Sequence, residues 1–157
     1  MNFENTKVLI VGGAGFVGSN LTKIILNDTK NVDIVVVDNL LSSEKENLPL
    51  GDSRLKFNHS SITNDATLAE IDDTFDYIFH LATFHGNQSS IEDPIKDHEN
   101  NTLTTLKLMN HIKDFKNLKK IVYSAAGCSA AKKTYEDANK MIFLTYMQDG
   151  GSLGLHH

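Results

Sequence analysis

The sequence contains a single cysteine, Cys128, among 157 residues. One thiol cannot form a disulfide within the chain, and such sparing use of cysteine is typical of proteins kept in a reducing compartment. The N-terminal stretch MNFENTKVLIVGG has acidic and amide residues where a secretory signal has a basic region and a long apolar segment. We therefore expect a cytoplasmic protein.

Long apolar runs and an excess of positive charge are also missing. Apolar stretches such as IVVV and MIFL are far too short to cross a bilayer. Fifteen Lys and Arg residues stand against 20 Asp and Glu, which gives a net charge of -5 without a basic stripe. Neither a membrane nor a nucleic acid is therefore expected as a partner. An apolar content of 40% is that of an ordinary globular domain.

The sequence does contain an alternation of buried-strand patterns and helical periodicities. Strands are predicted at 7–11, 33–38, 54–58, 75–82 and 120–124. Helices are predicted at 15–27, at 63–71 with Asn64 or Asp65 as the N-cap, and at 97–114, where apolar residues recur every three positions. This order predicts an α/β fold, a Rossmann-type doubly wound parallel sheet in three α/β/α layers.

The alternation fades after about residue 130. Residues 1–131 are predicted to form one Rossmann-type domain, and residues 132–157 an irregular C-terminal tail. The tail combines a polar stretch, an apolar run at 141–147 and a glycine-rich end with two histidines. The sequence leaves open whether all of 141–157 is native.

The most specific motif is VGGAGFVG at 11–18, between the first predicted strand and the first predicted helix. In a phosphate-binding turn, the first glycine permits the tight turn, the middle one lets the backbone approach a pyrophosphate, and the last lets helix and strand pack closely. Asp38 follows Gly18 by 20 positions, at the end of the second strand. A carboxylate there accepts hydrogen bonds from ribose hydroxyls and repels a 2′-phosphate, and the nearest arginine is Arg54. The predicted ligand is NAD rather than NADP.

With these motifs the sequence resembles the NAD-dependent epimerase/dehydratase family, which consists of extended short-chain dehydrogenase/reductases, and within it UDP-glucose 4-epimerase-like proteins. The blocks that carry the resemblance, between about residues 6 and 131, are VGGAGFVGSNL, VVVDNLLSS, FHLAT, SSIEDP, ENNTLTTLKLM and KIVYSAAG. The resemblance implies hydride transfer to and from bound NAD on a nucleotide sugar, by an enzyme of the isomerase or lyase type.

The resemblance also implies a set of cofactor-binding residues. From the pyrophosphate to the adenine they are Gly12, Gly15, Phe16, Val17, Gly18, Asp38, Asn39, Ser42, Ser43, Ser61 and Ile62. On the nicotinamide side they are Leu81, Ala82, Thr83 and Asn101. Ser61 stands where the family usually has an acid, which leaves one contact to the adenine amino group in question. His80 is interpreted as a packing residue, and no metal site is expected.

The catalytic Tyr-x-x-x-Lys motif of the family is missing. The residues four positions after the tyrosines at 77, 123, 135 and 146 are Leu81, Gly127, Asn139 and Gly150. Ala126 stands where the family usually has a catalytic Ser or Thr, which leaves Ser124 and Cys128 as the neighbouring candidates. Because family members are considerably longer, we expect the N-terminal part of a truncated enzyme, with little or no activity alone.

Two alternative functions remain open from the sequence. A non-catalytic dinucleotide-binding or interaction module would explain the missing motif without truncation, and a divergent reductase with another acid/base residue would also lack it.

In the family the helix at 97–114 pairs with a later helix in a dimer. Its apolar face, with Leu103 and Leu106, is therefore expected either to drive formation of a homo-oligomer or to be covered by the run at 141–147 folding back.

Overall fold

A single six-stranded sheet organises the chain. The computed structural model describes residues 2–84 and 91–124, and the backbone of 143–146. The strands are β1 (Thr6–Val11), β2 (Val32–Asp38), β3 (Leu55–His59), β4 (Tyr77–His80), β5 (Lys120–Ser124) and β6 (Phe143–Tyr146). Their order is β3-β2-β1-β4-β5-β6, and β1 to β5 are all parallel. The doubly wound Rossmann-type sheet predicted from the sequence is thus confirmed.

The strand order reverses at β1. The chain proceeds outward from β1 to β2 and β3, and then returns to place β4 on the other side of β1. Connections that leave neighbouring strands in opposite directions open a crevice at the carboxyl ends of those strands, where α/β proteins bind ligands. The crevice here lies beyond Val11 and His80, which are paired at the ends of β1 and β4.

Four helices and one 3-10 turn complete the described fold. They are α1 (Phe16–Asp28), the 3-10 turn (Lys45–Asn47), α2 (Asp65–Ala69), α3 (Pro94–Asn100) and α4 (Thr102–Ile112). Asn64 is the N-cap of α2, since its side-chain oxygen accepts hydrogen bonds from the amides of Ala66 at 2.9 Å and Thr67 at 3.4 Å. Within the described part of the chain, no helix combines the length and the apolar character that a membrane crossing requires.

The alternation of side chains along β1 divides the core between the two faces of the sheet. Val8 and Ile10 pack with Ile25 of α1 on one face. Leu9 and Val11 pack on the other face, with residues of α2 and α4 such as Leu68 and Leu108. All four β1 side chains are buried, as expected for a parallel strand covered on both sides.

The predicted helix at 97–114 differs from the structure in two ways. The helical segment begins at Pro94, because the side chain of Asp93 accepts a hydrogen bond from the Lys96 amide at 3.0 Å and a proline favours the first helical turn. It is then interrupted at Asn101, whose backbone angles of φ −112° and ψ −68° separate α3 from α4. The apolar periodicity contains no signal for this interruption.

The sixth strand lies inside the segment that the sequence predicted to be irregular, residues 132–157. Residues 143–146 pair antiparallel with β5, with Ser124 opposite Phe143. The residue types FLTY favour a strand, and the free edge of β5 offers backbone groups for pairing. The rest of the predicted tail lies outside the described residues.

Candidate functional site

A cavity of about 280 Å³ opens at the carboxyl ends of β1, β2 and β4. Its walls contain 14 of the 15 residues predicted to bind the cofactor, and the exception is Asn101. The structure therefore brings the glycine turn, the end of β2 and the segment after β4 to one cavity. Whether these residues bind a cofactor stays a prediction, but they lie at the position where proteins of this fold bind ligands.

Gly12 and Gly18 are required by the packing of the turn. Gly12 has a φ of +79°, and a Cβ on it would lie 2.5 Å from the backbone nitrogen of Ala82. A Cβ on Gly18 would lie 2.5 Å from the carbonyl oxygen of Gly12 and 2.6 Å from the Cα of Gly13. Separations below 3.0 Å between such atoms essentially never occur. Larger residues at these two positions would therefore force the backbone of the turn that joins β1 to α1 to shift.

Gly15 has a different environment from the other two. A Cβ on it would meet nothing closer than the Gly12 carbonyl oxygen at 3.4 Å, and its φ of −68° suits any residue. As the N-cap of α1 it provides no side-chain acceptor, and the first turn of the helix contains no acidic residue. The backbone N–H groups at this helix start have no acceptor one turn earlier and carry a partial positive charge. This environment fits a pyrophosphate group.

The carboxylate of Asp38 connects the two loops on either side of the cavity. One oxygen accepts a hydrogen bond from the Ala14 amide at 2.9 Å, in the glycine turn. The other accepts from the Leu40 amide and the Ser43 hydroxyl, both at 2.9 Å, in the loop after β2. Leu40 has a φ of +57°, a rare backbone conformation for a leucine, which the bond to Asp38 helps to hold. Asp38 is 8% exposed and lines the cavity.

A second contact holds the glycine turn from the same side. The side-chain amide of Asn47, in the 3-10 turn, donates a hydrogen bond to the Ala14 carbonyl oxygen at 2.9 Å. Ala14 is fully buried, and its amide and carbonyl groups are bonded to side chains from the end of β2 and from the 3-10 turn that follows it. The glycine turn is thus held in place by the protein itself.

The charge around Asp38 favours NAD over NADP. None of the described residues that line the cavity is basic. Arg54 precedes β3, whereas Asp38 is paired with the last residue of that strand, so the two are separated by roughly 16 Å of strand. The Arg54 guanidinium is bonded to Asp52 at 2.6 Å, and this carboxylate holds the Arg54 pKa above its ordinary value. Arg54 therefore cannot neutralise a 2′-phosphate at Asp38.

At the predicted adenine side, the segment after β3 presents hydroxyl groups rather than a carboxylate. The Ser61 hydroxyl lies 2.8 Å from that of Thr63, and the Ser60 hydroxyl 2.6 Å from that of Thr67. Ile62 is 2% exposed and also lines the cavity. This wall therefore offers an apolar surface edged with hydroxyl groups, which suits a neutral ring system.

On the opposite side, two adjacent asparagines of the helical segment differ in their position relative to the cavity. Asn101 does not line the cavity, whereas its neighbour Asn100 does. The side-chain oxygen of Asn100 accepts a hydrogen bond from the Asn39 side chain at 3.2 Å. The prediction that Asn101 binds the cofactor followed from its position in the ENNTLTTLKLM block, and it stays a prediction.

The catalytic candidates do not come together at the cavity in the described residues. Ser124 is exposed at the end of β5 and does not line the cavity, and Cys128 lies outside the described residues. His80 is 1% exposed, with its Nε2 atom 3.0 Å from the Thr105 hydroxyl. This burial agrees with the packing role predicted for it. Across the described ranges, no three His, Cys, Asp or Glu side chains are close enough to hold a metal ion.

The burial of His80 predicts a pH-dependent stability. Burial lowers the pKa of His80 from 6.5 to about 4. Between these values the unfolded chain binds a proton that the folded chain does not, so the free energy of unfolding falls as the pH drops from 6.5 to 4, by up to about 3 kcal/mol. Urea unfolding at several pH values should show this loss. In His80→Gln, which keeps a donor near the Nε2 position, this contribution should disappear; equal pH dependence in both proteins would contradict it.

The cavity also contains seven residues that the sequence did not single out. They are Val11, Val37, Leu41, Ser60, Phe84, Asn100 and Thr104. Val11 and Val37 could have been found, because each lies at or next to the carboxyl end of a predicted central strand. Leu41 and Phe84 belong to loops whose course depends on contacts with distant residues, and local sequence contains no signal for them.

The comparison with known families agrees with this geometry. The family described as NAD dependent epimerase/dehydratase matches residues 8–143. The chain belongs to this family. The match covers the glycine turn, Asp38 and the parallel sheet except for the first two residues of β1. NAD is the cofactor of the family, as the sequence predicted.

The similarity extends to individual solved structures and curated proteins. WbmF of Bordetella bronchiseptica, solved with NAD+, is 57% identical with a TM-score of 0.75, over 86% of this chain and 40% of that protein. It was also solved with NAD+ and UDP together. A dTDP-D-glucose 4,6-dehydratase of Dictyostelium discoideum is 37% identical over 74% of this chain and 28% of its own length. A UDP-glucose 4-epimerase of Klebsiella pneumoniae is 32% identical over 66% of this chain and 78% of that sequence. The chain thus spans well under half the length of WbmF and of the dehydratase.

Proposed function

We propose that this chain binds NAD in the cavity beyond β1, β2 and β4, as the cofactor-binding part of a nucleotide-sugar epimerase or dehydratase. The observation that carries the proposal is the arrangement of Gly15 and Asp38. An uncovered helix start and a buried carboxylate face the same cavity, whose described walls contain no basic residue. This is the combination that a pyrophosphate and an unphosphorylated ribose require.

Each wall of the cavity has a distinct role in this proposal. The backbone N–H groups at the start of α1 would bind the pyrophosphate, and Asp38 would accept a hydrogen bond from the adenosine ribose. Ser61 and Ile62 would border the adenine. Leu81 to Thr83, together with Asn100, would form the wall on the nicotinamide side. Bound NAD would accept a hydride from a sugar carbon and, as NADH, return it.

The proposed substrate of the whole protein is a nucleoside-diphosphate hexose. WbmF binds UDP, and the related epimerases and dehydratase are named for UDP- and dTDP-sugars. The chain has no Tyr-x-x-x-Lys to move the sugar proton, and Ser124 lies away from the cavity. We therefore expect that this chain alone binds NAD but converts little or no sugar.

The test combines a binding and a turnover measurement. Isothermal titration of the chain with NAD should give a sub-millimolar dissociation constant, and incubation with NAD and UDP-glucose should leave the sugar unchanged by NMR. Absence of NAD binding at millimolar concentration would contradict the first half of the proposal. Steady epimerisation by a preparation free of contaminating epimerase would contradict the second half.

A non-catalytic dinucleotide-binding module is the second candidate. The absence of Tyr-x-x-x-Lys from the chain favours it. Both candidates predict NAD binding, so the distinguishing observation is the coding sequence downstream of residue 140. A Tyr-x-x-x-Lys followed by a sugar-binding domain in any reading frame supports the enzyme, and its absence supports the module.

We further propose that the chain self-associates through α3 and α4. Ile95 and Leu106 on these helices are 71% and 58% exposed, which is unusual for large apolar residues, whereas Leu103 is only partly exposed. Leu106→Glu is expected to shift the chain to monomers in sedimentation equilibrium. Ile24→Glu changes a similarly exposed residue on α1, on the other face of the sheet, and should leave the association unchanged. A wild-type monomer at high concentration would contradict the proposal.

A further inference from the structure

The side chain of Asn101 binds the backbone of Phe84 at two points. Its oxygen accepts a hydrogen bond from the Phe84 amide at 2.7 Å, and its nitrogen donates one to the Phe84 carbonyl at 2.9 Å. One side-chain amide thus satisfies both backbone groups of one residue, as a neighbouring strand would. Phe84 lies four residues beyond the end of β4, where the sheet no longer provides such a partner.

The orientation of this amide is determined by a third contact. The Asn101 nitrogen also donates a hydrogen bond to a carboxylate oxygen of Asp97 at 2.8 Å. Because an ionised carboxylate only accepts, the nitrogen rather than the oxygen of the amide has to face Asp97. The amide oxygen therefore faces the Phe84 N–H. Aspartate or alanine at position 101 could not form the same set of bonds.

A second contact holds the other end of the same segment. The His80 Nε2 atom lies 3.0 Å from the Thr105 hydroxyl, which donates its hydrogen to the Asn101 carbonyl at 3.0 Å. Since a hydroxyl has one hydrogen, His80 Nε2 is the donor to Thr105. Asn101 and Thr105 are one helical turn apart and face the same side. Two residues of the helix therefore bind the two ends of the segment from His80 to Phe84.

The residues between these two contacts line the cavity. Leu81, Ala82 and Thr83 lie on its wall, as does Phe84 itself. We propose that Asn101 and Thr105 are positioning residues, which hold this segment in the shape that the nicotinamide end of the dinucleotide requires. Asn101 thus acts on the cofactor through its contacts with Phe84. The inference rests on the proposed NAD site, but the contacts to Phe84 do not depend on the cofactor.

The test compares two ligands that differ at one end. ADP has the adenosine and both phosphates, and NAD adds the nicotinamide half. Asn101→Ala is expected to weaken NAD binding by about tenfold, with ADP affinity within about twofold of wild type. Asn110→Ala, on an exposed position of α4, is the matched control and should change neither affinity. A general loss of stability would weaken both ligands together and would overturn the proposal, as would unchanged NAD affinity.

Amide hydrogen exchange of Phe84, measured by NMR without ligand, separates this inference from the proposed function. Asn101→Ala should exchange at Phe84 at least about tenfold faster than wild type, because the amide loses its acceptor. If the wild type binds neither NAD nor ADP, the proposed function fails while faster exchange at Phe84 still supports the contact. Unchanged exchange overturns the inference in either case. If Asn101→Ala does not fold, Thr105→Val replaces it in the affinity comparison, because valine preserves the side-chain shape. This variant should show the same selective loss of NAD affinity.

Discussion

Replacing Asp38 with alanine is expected to weaken NAD binding by about 100-fold and to reduce the preference for NAD over NADP by at least about tenfold. Three hydrogen bonds already reach the carboxylate, from Ala14, Leu40 and Ser43. A carboxylate has roughly four acceptor sites, so one remains for a ribose hydroxyl. The substitution removes that acceptor and the bonds that hold both loops around it.

The change in NADP preference has an electrostatic origin. A buried negative charge repels a 2′-phosphate, and none of the described residues lining the cavity is basic, so nothing there offsets the repulsion. Alanine at position 38 removes this repulsion while it also weakens the loops. The affinity for NADP should therefore change less than the affinity for NAD.

Calorimetric titrations of both dinucleotides test this prediction. Asp33→Ala is the matched control, because Asp33 is exposed on the same strand but toward its amino end, away from the cavity. It should bind NAD like the wild type. If Asp38→Ala binds NAD within about twofold of wild type, the carboxylate has no role in recognition of the ribose.

The second large effect is a contrast between two glycines of the same turn. Gly18→Ala is expected to lower the free energy of unfolding by about 3 kcal/mol, since its Cβ would overlap the backbone of Gly12 and Gly13. Gly15→Ala should leave stability within about 1 kcal/mol of wild type, because the site has space and an ordinary φ. The same variant should nevertheless weaken NAD binding by about tenfold or more, because the added methyl group lies where the pyrophosphate approaches the backbone.

Urea unfolding and NAD titration of each variant separate the two roles. The expected pattern is a stable Gly15→Ala protein with poor binding and a destabilised Gly18→Ala protein. Equal loss of stability in both would mean that Gly15 is required for packing alone. Normal NAD affinity in Gly15→Ala would place the pyrophosphate away from this turn.

The central strands of the parallel sheet were predictable because they are buried on both faces. Runs such as KVLIV and DIVVVD have few other stable environments, and the structure places β1 and β2 within one residue of the predicted bounds. The glycine turn could be predicted for a related reason. Two of its three glycines, Gly12 and Gly18, are required sterically by one local connection, because neither position has room for a Cβ.

The parts that could not be predicted depend on contacts between distant positions. The hydrogen bond from the Ala14 amide to the Asp38 carboxylate joins residues 24 positions apart, and no local sequence pattern indicates it. The interruption at Asn101 reflects a side chain that binds Phe84 instead of continuing a regular helix. The same interruption moves Asn100, rather than Asn101, to the cavity wall. Apolar periodicity describes which face of a helix is buried, but not where a polar side chain breaks its regularity.

Amide NMR of the isotope-labelled chain during titration with NAD is the most direct test of the cavity as the cofactor site. The largest shift changes are expected at Gly12 to Gly18, at Asp38 and Asn39, and at Leu81 to Phe84. The amides of Lys7, Asp76 and Lys119, at the amino ends of the strands, should remain unchanged. Changes confined to that amino end, or no saturable changes at all, would contradict an NAD site built on the glycine turn and Asp38.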